Sequence, residues 1–170
     1  MSGNPLRTVQ QLLDSIEHAT VATASVHGDP WNTPVYFARS GGTFFWISRA
    51  DAQHSINIRD NGRAFLVVYD STREDASGAA VYLEAEAREL TDEAAIARAL
   101  DVIYQRRRQP PPPPAAFVAA SPQRVYTALA RRAWTNVVHD EGDCPWDERV
   151  DVFSSLVSSS PTRHSRAPRR

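Results

Sequence analysis

Apolar residues recur at helical spacing at the start of the chain. Leu6, Val9, Leu13 and Ile16 follow Asn4-Pro5, with Asn as the cap and Pro in the first turn. The pattern then changes to short β-like runs. Residues 21–26 lead into the turn His27-Gly28-Asp29-Pro30, and residues 34–39 and 43–48 flank Ser40-Gly41-Gly42 as a hairpin. Residues 63–69 hold the unbroken run Ala-Phe-Leu-Val-Val-Tyr, which suits a strand covered on both faces. After a polar loop at 71–78, residues 79–90 alternate: Val81, Leu83, Ala85 and Ala87 against Tyr82, Glu84, Glu86 and Arg88. Residues 124–130 and 133–139 predict two further strands, and residues 150–153 a last short one.

Two helices interrupt these strands. Residues 51–59 predict a short one closing at Asn61-Gly62. Residues 92–107 predict a longer one with Ile96, Leu100, Ile103 and Tyr104 as its apolar stripe. Its first turn carries Asp92 and Glu93 and its last Arg106 and Arg107, which matches the helix dipole. The prolines at 110–114 end it in an extended polyproline segment. Strands in mostly hairpin order, with helices inserted rather than alternating, predict a mainly β (α+β) fold. The expected form is a small barrel of about six antiparallel strands with peripheral helices. Residues 1–153 form the expected domain. Residues 154–170, rich in Ser, Pro and Arg and poor in apolar anchors, are expected to be a disordered tail.

Composition narrows the function classes. Basic and acidic residues nearly balance at 19 and 20, so the net charge of -1 predicts neither a nucleic-acid nor a membrane partner. Every basic residue is Arg, which excludes a Schiff-base or P-loop lysine and suits a bacterial, GC-rich source. The single Cys144 fits a reducing cytosol, and residues 1–20 lack the apolar run of a secretory signal, so a cytoplasmic location is expected. His139-Asp140-Glu141-Gly142-Asp143-Cys144 raises a metal site, but no second His or Cys stands at a standard spacing, and no metal is expected. Arg106-Arg107-Arg108-Gln109 before the prolines imitates a polyproline ligand. A helix end followed by a rigid spacer is the plainer account.

An ordered set of segments carries a resemblance. Pro34-Val35-Tyr36-Phe37 precedes Phe44-Phe45-Trp46-Ile47-Ser48. Gln53-His54-Ser55-Ile56-Asn57-Ile58-Arg59-Asp60-Asn61 and the apolar strand follow, then Arg124-Val125-Tyr126 and Ala133-Trp134-Thr135-Asn136. This order resembles the FMN-binding split β-barrel family, the pyridoxamine 5'-phosphate oxidase-like proteins. The resemblance implies a homodimer with FMN at the subunit interface. Gln53 and His54 fall where the family places a basic pair on the flavin phosphate, with Ser48 as an added donor and Asn57 in the same helix. Asn32, like Phe37, stands where the oxidases often carry a basic residue. Pro34, Val35 and Tyr36 would run along the flavin ring, their main-chain groups meeting its polar edge. Trp134 and Asn136 would approach from the partner subunit.

Two departures shape the functional expectation. The pair on the phosphate is an amide and an imidazole rather than two cations. The Arg-x-His-type motif with which the oxidases hold pyridoxamine phosphate is also missing after Trp134, so that activity is not expected. What remains is an FMN-dependent oxidoreductase acting on a small planar organic substrate, with Trp31, Tyr36 and Trp134 as its lining and Tyr36 or His139 as proton donor. The alternatives are a deazaflavin- or haem-binding member of the same fold, or a flavin-binding protein that catalyses nothing. His54 is expected at a surface-reachable helix end.

Overall fold

The computed structural model describes residues 5–72, 80–139, 144 and 146–158. The expected Asn4 cap, most of the polar loop at 71–78 and most of the 139–144 segment therefore lie outside the described residues. Among those described, eight strands form one antiparallel sheet, against the expected barrel of about six. They are β1 (His18–Ala24), β2 (Pro30–Tyr36), β3 (Ala38–Ser40), β4 (Thr43–Arg49), β5 (Arg63–Tyr69), β6 (Ala80–Glu89), β7 (Gln123–His139) and β8 (Trp146–Asp151). The helices are α1 (Pro5–Ser15), α2 (Gln53–Asn61), α3 (Glu93–Arg107) and α4 (Phe153–Ser158), with a 3-10 turn at Pro114–Phe117.

Spatial order along the sheet is β2-β1-β5-β6-β7-β4-β3, and β8 adds to the far half of β7. The two ends of this path, β2 and β3, are separated in the chain by Phe37 alone, whose N–H donates to the Glu17 carbonyl at 3.1 Å. The sheet therefore curls until its ends meet at that residue, and it stays unpaired along the seam. A split barrel results.

The two strands expected at 124–130 and 133–139 are one strand of 17 residues, β7. Glu84 of β6 pairs with Arg132 and Ala85 with Ala130, so Arg131 is a bulge residue lying where the apolar alternation breaks. Before the bulge β7 sits between β6 and β4; beyond it β7 pairs with β8. The last strand runs over Trp146–Asp151 rather than 150–153, because Trp146 lies opposite His139 and sets the register.

The barrel interior is filled from several strands and capped by two helices. Val21, Leu66, Val68, Leu83, Phe44 and Trp46 form one buried cluster with Val9, Leu12 and Leu13 of α1 and Leu156 of α4. Burial of each such side chain stabilises the fold by about 1.5–3 kcal/mol. Leu156 corrects the domain boundary. Residues 154–158, expected within a disordered tail, belong to a helix whose Leu156 is buried in the core and whose Phe153 packs against it. A second cluster covers the outside of β3, β4 and the start of β7, where Ile96, Leu100 and Ile103 of α3 meet Ala38, Val125 and Phe117. Among the described residues, the outward faces of β1, β5 and β6 carry no helix of this kind. Among the described residues no helix is long and apolar enough to cross a membrane.

Candidate functional site

α2 links β4 to β5 and brings most of the expected phosphate residues together. It begins at Gln53, two residues later than predicted, and ends at Gly62. Gly62 takes φ 68, and its N–H closes on the Ile58 carbonyl at 2.8 Å. Its start is bare. Ala52 offers no side-chain cap and no acidic residue stands in the first turn, whereas α3 opens on Asp92, which accepts from the Ala95 N–H at 2.7 Å, followed by Glu93. Nearby Asp51 is taken up by Arg49 through bonds of 2.8 and 2.7 Å. The first amides of α2 thus present an unopposed positive dipole end, a setting that accepts an anion.

The side chains of α2 divide into two sets. Gln53 is exposed at the first helical position. His54 points inward with 4% exposure, which corrects the expectation of a surface-reachable imidazole. The cause is amphipathic placement: His54, Ser55, Asn57 and Ile58 share the face packed on the barrel. His54 Nε2 lies 2.9 Å from the Ser48 hydroxyl, and burial pushes its pKa below the usual imidazole value, so the ring is held neutral at pH 7. Asn57 is also buried. It accepts from Gln53 Nε2 at 2.9 Å and donates to Thr23 Oγ1 at 3.0 Å, tying the helix start to β1.

Below α2 the interior is aromatic. Trp46 and Tyr126 stack with ring centres 5.7 Å apart, and His54 meets Tyr126 edge-on at 6.5 Å. Burial raises the Tyr126 pKa, partly offset by the neighbouring Ser55 hydroxyl. Neither of those hydroxyls attains full hydrogen-bond geometry, and Trp46 Nε1 is also unpartnered.

The remaining expected residues lie on two other elements. β2 is an edge strand paired only with β1, so half of its main-chain groups face away from the ladder, and Pro34 costs it no pairing. Asn32, Pro34 and Tyr36 share its outward face, while Val35 is buried in the core and has only its main chain to offer. Trp31 and Tyr36 lie on opposite faces of this strand, which corrects the lining expected from Trp31, Tyr36 and Trp134 together. Tyr36 instead meets His18 edge-on and carries Arg107 over its ring at 4.7 Å. Trp134 and Asn136 also face outward, but on β7, four strand spacings or roughly 19 Å along the sheet from β2. One chain does not bring them to Pro34. Asn136 donates to Tyr82 Oη at 3.3 Å and to Asp147 at 3.4 Å. His139, the other proton-donor candidate, stacks on Trp146 and pairs with Glu148 at 2.8 Å near the end of the same strand.

The family model for pyridoxamine 5'-phosphate oxidase matches residues 6–128. The chain belongs to the pyridoxamine 5'-phosphate oxidase family. Three solved structures share its fold. The haem storage protein HutZ from Vibrio cholerae aligns with TM-score 0.64 at 11% identity, over 76% of this chain and 92% of its own. A haem binding protein from Mycobacterium smegmatis aligns with TM-score 0.62 at 18% identity, over 94% of this chain and 62% of its own. An F420 reductase aligns with TM-score 0.54 at 17% identity, over 74% of this chain and 93% of its own. Comparison with curated proteins returned no significant match. At these identities the likeness is one of fold.

Within the family fold, sequence reasoning missed Thr23 and the stacking of Tyr126 on Trp46. Thr23 had a usable signal, since Ala19 and Val21 set the inward parity of β1 and put a polar side chain at a core position. Trp46 and Tyr126 had none, because their meeting depends on the register of β4 against β7, where they are directly opposite.

Proposed function

We propose that this family member binds FMN with its phosphate at the start of α2, and that it is an oxidoreductase working as a homodimer. The bare amino end of α2 is the observation that carries the reading. A phosphate there would accept from first-turn amides and from Gln53, with no acid in the first turn and nearby Asp51 paired to Arg49. The fit is partial. His54 is committed to Ser48 and Asn57 to Thr23, so they shape the helix end rather than touch the phosphate. The edge of β2 from Pro34 to Tyr36 would lie along the ring.

A second copy completes the arrangement. Thr20, Val67, Tyr82 and Trp134 lie side by side across β1, β5, β6 and β7 on the outward face that no helix among the described residues covers. A partner laid over that row would supply Trp134 to the ring held by the first chain, which one chain by itself cannot do. Bound flavin would supply the hydride or electron chemistry. The protein's part is to grip the phosphate, orient the ring against β2 and exclude water with Trp134. The substrate expected is small and planar rather than pyridoxamine phosphate.

A second reading has one observation in its favour. The phosphate grip is neutral, and proteins of the same fold are described as binding haem or as an F420 reductase, so haem or a deazaflavin in the same cleft is the alternative. The absorption spectrum of the purified protein separates the three, and sedimentation tests the dimer. The sharper test is Gln53→Glu, which sets a carboxylate at the helix start. FMN affinity should fall about tenfold, while riboflavin, lacking the phosphate, should bind unchanged. Equal binding of FMN by both proteins, or a colourless protein indifferent to FMN, refutes the reading.

A further inference from the structure

A groove of about 1250 Å³ runs over the outward face of the sheet beside the carboxyl end of α2. It lies at the opposite end of α2 from the proposed cofactor end; none of the residues expected at that site lines it, and Thr23, which holds Asn57, is the one residue the two share. Along β5 it lies at the Arg63 end, four residues from the Val67 row proposed to meet a second copy. Ala22, Phe65 and Leu129 give it apolar surface, and Arg63, Arg88 and Arg131 line it as well.

Glu84 and Glu86 line the groove too, so three arginines face two carboxylates and one positive charge is left over; Glu84 lies 3.9 Å from Arg132. Glu86 stands directly opposite Arg63 in the β5–β6 ladder, yet its carboxylate is taken from the other side by Arg131 at 2.5 Å. Arg63 has no ion-pair partner among the described residues, and neither has Arg88, two positions beyond Glu86 on the same face of β6. Two free guanidinium groups thus sit on neighbouring strands at diagonal spacing, with backbones roughly 7–8 Å apart. They repel each other, in a chain whose net charge is -1 and which has no general excess of basic residues. Planar guanidinium forks are suited to carboxylate or phosphate oxygens, and the half-buried Phe65 ring beside them is suited to an apolar body.

We propose that this groove is a second ligand site, for an amphipathic organic anion whose acidic headgroup is held by Arg63 and Arg88 and whose apolar body lies over Phe65 and Leu129. It is independent of the cofactor assigned to α2. The ladder supplies the spacing, and diversion of Glu86 to Arg131 leaves the two cations available.

Equilibrium binding of 1-naphthoate to the full chain tests the proposal, with neutral 1-naphthalenemethanol as the uncharged probe and 1-naphthyl phosphate as the second headgroup. At least one anion should bind more tightly than the alcohol. Arg63→Gln and Arg88→Gln should each weaken that anion about tenfold and leave the alcohol unchanged, and the gap should narrow in high salt. Arg98→Gln, on the exposed face of α3, should alter nothing. All these side chains are exposed, so thermal melts of the variants should match the parent. The Gln53→Glu variant should bind naphthoate normally, which separates failure here from failure of the FMN reading. No anion binding by the parent protein overturns the proposal, including the case in which a second copy covers the groove. So does binding indifferent to both arginines.

Discussion

Asn57 offers the most direct test of how the start of α2 is held. It is 1% exposed, donates to Thr23 Oγ1 at 3.0 Å and accepts from Gln53 Nε2 at 2.9 Å. Asn57→Ala removes the donor from a threonine hydroxyl that is itself only 7% exposed. Leaving one buried polar group without its partner costs about 1–3 kcal/mol. The space vacated under the helix adds about 1 kcal/mol, whereas exposed Gln53 turns to water at little cost. The sum is about 2–4 kcal/mol, a fall in Tm of roughly 5–15 °C for a chain of this size. Urea unfolding followed by circular dichroism measures it.

A double-mutant cycle isolates the Asn57–Thr23 bond itself. Thr23→Val removes the hydroxyl that Asn57→Ala strands, so the double variant should be more stable than the sum of the singles by about 1 kcal/mol. If the two effects add, or Asn57→Ala costs under about 0.5 kcal/mol, the buried chain from Gln53 to Thr23 is not what seats the helix.

Two further outcomes are expected. Arg106 donates to the Leu13 carbonyl at 2.9 Å and to Ile16 at 2.5 Å and lies 4.6 Å over Phe37, so Arg106→Met should cost about 2–4 kcal/mol and speed amide exchange at the end of α1; unchanged exchange there refutes this capping role. Because burial lowers the His54 pKa from 6.5, the unfolded chain takes up the proton first, so stability should be full above about pH 6.5 and decline as pH falls below it. His54→Gln should flatten that part of the pH–stability curve, and an unaltered slope would mean the imidazole is not buried neutral.

The strands were legible wherever one face is buried, because alternation then records which side each residue takes. The run at 63–69 has the bounds of β5, although it buries Ala64, Leu66 and Val68 on one face rather than being covered on both, and Val81, Leu83, Ala85 and Ala87 point inward along β6. Legibility failed where the physics is not local. Arg131-Arg132 reads as a gap because two consecutive charges break a period of two, and only the partner strand reveals that the chain continues through a bulge. A tail with few apolar residues reads as disordered, yet Leu156, together with Val152 and Phe153 before it, docks a helical turn on the core. β8 was displaced for a related reason: its side chains are mostly exposed, so its place depends on pairing with β7 rather than on burial.

The candidate site shows the same division at finer scale. That Gln53 and His54 open a helix follows from local signals, and the helix is there. Which way each side chain points does not follow from them. It is decided by how α2 packs on β1 and β6, and that packing turns the imidazole inward and leaves the amide outside. A residue type matched to a family position therefore locates the right turn of helix without stating what the side chain touches. Arg63 makes the converse case. Read along the sequence it is one basic residue opening a strand, and its ladder partner Glu86 suggests a routine cross-strand ion pair. The bulge brings Arg131 to that carboxylate instead, so one extra residue in β7 frees a charge on β5. Local pattern fixes which elements exist and which face each residue occupies, whereas the chemistry of both proposed sites depends on which neighbour reaches a shared partner first.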